Sequence, residues 1–243
     1  MPVKALNTRV LVDQWDFSGD TAGGSLALQT SPLEAPALQQ TGSQYLPGPA
    51  NGTLELNGYW NTNGAGTLEY ELQSRLGSEA GCIVSTCLDT TAVGNPAYTQ
   101  LSTWAQQLKV DAPTDSILML NSTWTDVTAR GYVIAHQTFS ATGNGTIIDF
   151  LAAGSNGGWA VLHVRAISGT ATNASFLVQH STTAGFASPA TLATFANFSA
   201  IGAQAVTFSG AVRQYLRLNC AGLGGATSIA VTAIVGVSGV TGA

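Results

Sequence analysis

Alternation of hydrophobic and polar positions is the strongest signal in this chain, and it is clearest over Thr53–Trp60. Leu54, Leu56, Gly58 and Trp60 share one face there, and Thr53, Glu55, Asn57 and Tyr59 share the other. Such a segment is a strand buried on one side and wet on the other. The same reading makes strands of Val10–Trp15 and Ser25–Thr30, with Leu26 and Leu28 on one face of the latter. Pro32, Pro36, Pro47 and Pro49 punctuate the stretch between Thr30 and Thr53, so a long loop is expected there. Leu68, Leu72 and Leu76 recur every four residues with Glu69, Glu71 and Arg75 around them, which predicts a helix stopped by Gly77. Further strands are expected at Cys82–Cys87, Gln100–Leu108, Ser116–Thr125 and Gly131–Phe139.

The rest of the chain carries strand patterns only. They fall at 146–150, 159–167, 175–180, 191–195, 204–208, 213–220 and 228–237, separated by Gly/Ser/Asn/Thr turns. Short strands at such spacing suggest a β-sandwich or jelly roll. The most apolar run, Ile229 to Val240, is interrupted by Thr232, Gly236, Ser238 and Gly239 and reads as a strand, not a membrane span.

Charge divides the chain. Residues 1–137 hold twelve acids and five bases, and residues 138–243 hold one acid, Asp149, and three arginines. With the Gly/Ser/Asn-rich segment Ser140–Thr146 as a joint, this predicts one β-domain over 1–139 and a second over 140–243. The expected fold class is mainly β: a sandwich or barrel with one flanking helix, then an all-β, jelly-roll-like sandwich. Charged residues make up only 9% of 243 residues, against about 25% in an average soluble domain. Weakly charged surfaces associate, so burial by copies of the same chain is the favoured reading. The few Lys and Arg residues argue against a phosphate-binding groove.

Chemistry-bearing residues are sparse. No nucleophile elbow, P-loop or zinc-protease motif occurs, and the second part lacks a second carboxylate for a catalytic pair, so no enzyme activity is expected. His136, His163 and His180 all fall in strand patterns and read as half-buried, hydrogen-bonded residues; His163 and His180 could approach across a sheet, but two histidines make a poor metal site. Asp13, Asp16 and Asp20 read as a strand end and turn, with Asp16 or Ser18 bonding the backbone, ahead of a calcium loop. Cys82, Cys87 and Cys220 read as small buried hydrophobes in a reducing compartment. No cofactor or metal is expected. The tryptophans at 15, 60, 104, 124 and 159 sit in strand patterns, where packing is the commoner role than sugar stacking. The first residues lack the apolar core of a signal peptide, and the N-x-S/T sequons at Asn51, Asn121, Asn144, Asn173 and Asn197 are read as chance products of composition.

Several segments resemble the tail tube (major tail) proteins of long-tailed bacteriophages. Val10-Leu-Val-Asp-Gln-Trp-Asp-Phe-Ser-Gly-Asp20 is similar to the family's first strand and turn, with Phe17 in place of Leu. Tyr45-Leu-Pro-Gly-Pro-Ala-Asn-Gly-Thr-Leu-Glu-Leu-Asn-Gly-Tyr-Trp60 resembles its Y-I-P-G segment, with Pro49 where an apolar residue is usual, and Arg130-Gly-Tyr-Val-Ile134 resembles its later R-G-x-V strand. Leu162–Gly169, Val178–Ser181, Gly202–Gln204 and Val212–Arg217 resemble an added β-domain of some of these proteins, while the Pro/Gln-rich stretch Ser31–Gln44 has no close counterpart.

The resemblance implies hexameric rings stacked into a hollow tube in the virion tail, made in the host cytoplasm. It implies contacts with other tail proteins and passage of DNA, without specific binding, through the lumen. Thr53, Glu55 and Asn57 are then the candidate lumen-facing residues, in an acidic wall that repels phosphate, and Gln40, Tyr45 and Asn51 the candidate inter-subunit loop. The second domain would lie outside the tube and could contact host glycans. No membrane partner is expected. A capsid decoration or cement protein and a secreted carbohydrate-binding module are the alternatives.

Overall fold

The computed structural model describes residues 8–35, 44–60, 64, 66–76, 78, 81–112, 114, 117–150, 153–154 and 156–238. It is mainly β, with antiparallel ladders throughout its named strands. The strands are β1 (Arg9–Val12), β2 (Trp15–Asp16), β3 (Thr21–Ala35), β4 (Gln44–Tyr59), β5 (Cys82–Cys87), β6 (Pro96–Thr103), β7 (Ala105–Asp111) and β8 (Met119–Phe139). They continue as β9 (Gly143–Asn144), β10 (Ile148–Asp149), β11 (Gly158–Gly169), β12 (Ser175–Ser181), β13 (Ala190–Thr194), β14 (Gly202–Phe208), β15 (Tyr215–Gly222) and β16 (Ala226–Val237). The single described α-helix, α1 (Leu68–Arg75), follows the leucine stripe: Leu68 and Leu72 are buried, but Leu76 is exposed. Gly77, its expected stop, lies outside the described residues. No described helix is long and apolar enough to cross a membrane.

Contacts divide the chain into two compact units. One holds Met1–Ser18, Ile83–Thr99 and Arg130–Ala243; the other holds Gly19–Cys82 and Gln100–Ala129. The charge step near residue 138 therefore does not coincide with the contact boundary. Residues 132–139 of β8 pair with β16, which ties them to the C-terminal strands. Ladder hydrogen bonds, not local composition, decide which segments pack together.

The first unit is a β-sandwich. Its larger sheet runs β14-β11-β16-β8-β6-β5-β1-β2, and its smaller one runs β10-β15-β12-β13 with β9 beside β15. The alternation read from the sequence explains the core. Ala160, Leu162 and Val164 of β11 and Ile229, Val231, Ala233 and Val235 of β16 turn inward from one sheet. Phe176 and Val178 of β12 and Leu216, Leu218 and Cys220 of β15 turn inward from the other. Phe176 lies 5.9 Å from Phe139 and 6.4 Å from Phe198, ring centre to ring centre. Gly236 leaves room for an aromatic ring: a Cβ there would come within 2.3 Å of Trp159.

The second unit is built on a four-stranded antiparallel sheet in the order β3-β4-β8-β7. The expected proline loop is instead the far end of a long hairpin. Pro32 pairs with Pro47, after a register shift at Thr30, and the ladder continues to Ala35 and Gln44. The prolines are tolerated for an identifiable reason. β3 is an edge strand, so one side of Pro32 needs no N–H. Pro47 and Pro49 lie in the part of β4 that β8 does not reach, since that ladder starts at Asn51. Two other expectations also change. Ser116–Thr125 and Gly131–Phe139 merge into the 21-residue β8, and Gln100–Leu108 breaks at Trp104 into β6 and β7. The stretch from Asp126 to Arg130 contains neither Gly nor Pro to interrupt β8.

Phe176→Ala removes a fully buried ring from the sandwich core. It is expected to lower unfolding free energy by about 3–5 kcal/mol, measured by urea denaturation against the parent chain.

Candidate functional site

The sheet of the second unit has two unlike faces. Register places Leu26, Leu54 and Trp124 in one cross-strand row, and Leu56 with Ser122 in the next. Leu54, Leu56, Leu120, Ser122 and Trp124 are buried. α1 contributes the buried Leu68, and Gly58 permits its approach: a Cβ on Gly58 would lie 2.2 Å from Leu68 Cδ2 and 2.8 Å from the Asp20 carbonyl. Thr128 is held the same way over Gly52, where a Cβ would meet its hydroxyl at 2.1 Å.

The opposite face is polar. Its rows run Ser25–Glu55–Thr123–Gln107, then Asn57–Asn121–Lys109, with Thr53 beside Thr125. Ser25 Oγ donates to Glu55 Oε2 at 3.2 Å, and the Thr53 and Thr125 hydroxyls lie 3.4 Å apart. Asp111 accepts from Asn121 Nδ2 at 2.6 Å and pairs with Lys109 Nζ at 2.8 Å. Thr53, Glu55 and Asn57 thus share one solvent-facing surface, with Glu55 and Asn57 exposed and Thr53 half-buried. Asn51 is exposed on the same strand, Tyr45 lies in the part of β4 beyond β8, and Gln40 lies outside the described residues.

The charge on this face is small. Glu55, Lys109 and Asp111 are the ionised groups among its described side chains. Several other carboxylates bind backbone instead. Asp126 accepts the N–H of Val127 at 2.7 Å and of Ser102 at 3.3 Å. Glu71, largely buried, accepts the Gly66 N–H at 3.2 Å and pairs with Arg75 at 3.5 Å. In the other unit Asp13 accepts the Ile83 N–H at 2.8 Å. Asp16 accepts the Ser18 N–H at 3.1 Å and its hydroxyl, as the turn reading of that segment expects.

Both edges of this sheet are open among the described residues. β3 pairs only with β4, and β7 only with β8. The described side chains of β3 are exposed or half-buried over all of Thr21–Thr30, and that stretch contains no charge. Natural sheets blunt such an edge with Lys, a bulge or a covering element; here β3 has register shifts at Thr21/Gly23 and Thr30/Pro32, and β7 carries Lys109.

The remaining candidates resolve into structural roles. His163 is fully buried, with Nδ1 2.5 Å from the Asp13 carbonyl and Nε2 2.9 Å from Ser85 Oγ. A carbonyl only accepts, so the proton sits on Nδ1; Nε2 accepts from Ser85, whose oxygen is 3.0 Å from Thr99 Oγ1. Ser85 and His163 would suit nucleophilic chemistry, but both are fully buried. No motif announces this pairing across 78 residues. His180 lies in the other sheet and accepts the Arg213 N–H at 3.2 Å, so it does not meet His163; His136 bonds Thr232 at 2.8 Å. No group of three metal-ligating side chains forms among the described residues. The three cysteines are buried, Cys82 donating to the Thr103 carbonyl at 3.2 Å, and burial pushes the Cys87 thiol up to about 12. Trp124 is core, whereas Trp104 is 49% exposed at the break between β6 and β7, contrary to its packing expectation.

No family model and no curated protein sequence matches the chain. Several solved structures overlap it at low identity. A chain of the virion of a native gene transfer agent particle overlaps 51% of this chain and 94% of its own, at 6% identity and TM-score 0.37. A chain of the extended sheath–tube complex of an extracellular contractile injection system, PVC, overlaps 54% and 93%, at 13% identity and TM-score 0.41. The Dit (gp 19.1) protein of phage SPP1, a hub adsorption protein, overlaps 94% and 98%, at 8% identity and TM-score 0.33.

Burial, then the nearby Arg165 charge, depress His163 and His136 to about 4, partly offset at His163 by its Asp13 hydrogen bond and at His136 by Asp16. The unfolded chain binds more protons between about 4 and the ordinary 6.5. Stability is therefore expected to fall as pH drops through that window and to level off below it. Urea midpoints across the range check this, and His163→Gln should flatten the slope.

Proposed function

We propose that this protein is the tail tube subunit of a long-tailed phage, forming a hollow homo-oligomeric ring through the β3-β4-β8-β7 sheet. The observation that carries the reading is that sheet itself: one face packed, the other polar, and both edges without a strand partner among the described residues.

Exposed edge donors and acceptors are satisfied best by another strand. The ladders are antiparallel, so β3 and β8 run one way and β4 and β7 the other. A copy related by rotation about an axis along the strands brings its β7 beside β3 in the antiparallel sense. The same contact repeated around the axis closes a barrel and leaves no edge. Six copies, as the family resemblance implies, give roughly two dozen strands. At about 4.8 Å spacing and about 40° tilt the backbone circle is roughly 48 Å across. That leaves room for a DNA duplex after side chains are counted.

With the packed face outward, the polar face lines the passage. Hydroxyls and amides from Ser25, Thr53, Asn57, Asn121, Thr123 and Thr125 keep it wetted. Lys109 is held by Asp111 and does not offer phosphate a free cation. Glu55 adds a repulsive charge. DNA meets no cluster of Lys or Arg on which counterion release could build affinity, so it slides. This wall is weakly acidic, not strongly so as the net charge of the first half suggests. DNA is cargo in transit, and the ring's partners are copies of itself and the other tail proteins.

Negative-stain microscopy of the purified chain tests the reading: rings or tubes support it, and monomers or trimers that bind only capsids mark a decoration protein instead. Ala27→Lys places a charge on the β3 edge and is expected to leave the monomer folded while abolishing rings in sedimentation velocity. Glu55→Lys is expected to assemble normally and to slow DNA ejection, measured by dye release from phage carrying the variant.

A further inference from the structure

The smaller sheet of the first unit carries an arginine, Arg217, on the face that turns away from the sandwich core. Leu216, Leu218 and Cys220 of β15 point into that core, so Tyr215, Arg217 and Asn219 occupy the opposite, half-buried face. Register sets Gln179 of β12 beside Arg217, with Thr191 of β13 beyond it. In a neighbouring row Asn219 stands between Leu177 and Asn144.

Two contacts fix the guanidinium. Its Cζ lies 4.1 Å from the centre of the Phe186 ring, and Nε donates to Gln179 Oε1 at 2.9 Å. The loop that carries Phe186 is pinned in turn. The Thr183 N–H donates to Ser181 Oγ at 3.1 Å, and the Phe186 N–H donates to the Thr183 carbonyl at 3.1 Å. Arg213 Nη1 donates to the Ser188 carbonyl at 3.3 Å. Phe186 is buried at φ 50°, a left-handed conformation that bulky side chains rarely adopt. With one flat face on the ring and Nε on Gln179, the guanidinium is left with its Nη1/Nη2 edge. Among the described residues no carboxylate forms an ion pair with it. The only acid after residue 137 is Asp149, whose Oδ1 accepts from Gln214 Nε2 at 2.9 Å.

We propose that this face binds a carboxylated polysaccharide, with the Nη1/Nη2 edge of Arg217 holding one sugar carboxylate. A carboxylate matches that edge in charge and in shape, since it accepts two parallel N–H bonds. A guanidinium only donates, so Gln179 turns its oxygen to Arg217 and leaves its amide NH2 to donate to a sugar hydroxyl. Thr191, Tyr215 and Asn144 add further hydroxyl and amide groups around the fork. A nucleic acid is held through many phosphate contacts, which one fork does not supply. Leu177 is the only aliphatic residue in these two rows, too little apolar area for the desolvated centre of a protein interface. The site lies within one copy of the chain and does not depend on ring formation.

The test uses the full-length chain, with oligogalacturonate and oligosialate as probes. Binding is read by calorimetry and by NMR of the arginine Nε–Hε resonances. Saturable binding of at least one probe is expected, with the Arg217 resonance shifted. Arg217→Lys keeps the charge, loses the planar edge, and is expected to weaken binding more than about tenfold. Arg130→Lys is the matched control and should bind as the parent does. Arg130 is exposed and also lies over a ring, that of Tyr132 at 5.4 Å, but it belongs to β8 of the larger sheet. Urea midpoints verify the fold of both variants; if Arg217→Lys does not fold, the resonance shift in the parent decides. Methyl-esterified oligogalacturonate, the same sugar without its charge, should not bind. The proposal is overturned if neither probe binds, if the Arg217 resonance does not move, or if folded Arg217→Lys binds like the parent. Equal or tighter binding of the methyl ester, of polyglutamate or of poly(glycerol phosphate) overturns it as well. Those outcomes mark the ligand as a neutral sugar, an acidic protein or a phosphate polymer.

Discussion

Backbone hydrogen bonding along strand edges is the constraint on which the rest of the structure depends. A sheet in water always ends somewhere, and its last strand exposes a row of donors and acceptors. In this chain the four-stranded sheet ends on β3 and β7. The first of these is long, open to solvent and uncharged from Thr21 to Thr30. The proposed assembly follows from how those edges are to be satisfied. The Ser85–His163 pair is fully buried, with further hydrogen bonds to the Asp13 carbonyl and Thr99.

The low charge of the chain takes on a specific meaning in the structure. Asp13, Asp16, Glu71 and Asp126 act as acceptors for nearby N–H groups, holding turns and strand ends. They are local fasteners in a chain where only 9% of residues are charged. A net charge summed over half the sequence therefore overstates how acidic any one surface is.

Much of the fold was legible in the sequence because alternation reports burial directly. The faces of 53–60 and the limits of Cys82–Cys87 were read correctly, and the helix at Leu68 and the seven C-terminal strands were placed to within a few residues. The reading went astray where local signals and long-range pairing disagree. Prolines 32, 47 and 49 look like loop markers until it is known that β3 has an open side and that β8 stops short of them. The division into compact units was hidden for a related reason: β8 pairs with β16 across roughly a hundred residues, and composition carries no record of that. Of the candidate site, the polar strand around Glu55 was visible as a period of two. The rows from β8 and β7 that complete its surface required the register.

Pro32 has one more consequence. It lacks an N–H, so a strand adding to β3 finds an unbroken row of donors only as far as Thr30, where the register also shifts. β7 is seven residues long and must fit within that limited stretch. Side chains alternate with a period of two, so a slip by a single residue would turn the polar face inside out. Only a few alignments remain that keep hydroxyls and amides facing the same way around a ring. A residue that at first marks an interruption in the chain works as a stop that fixes vertical offset between neighbours, and hence the pitch at which their strands wind.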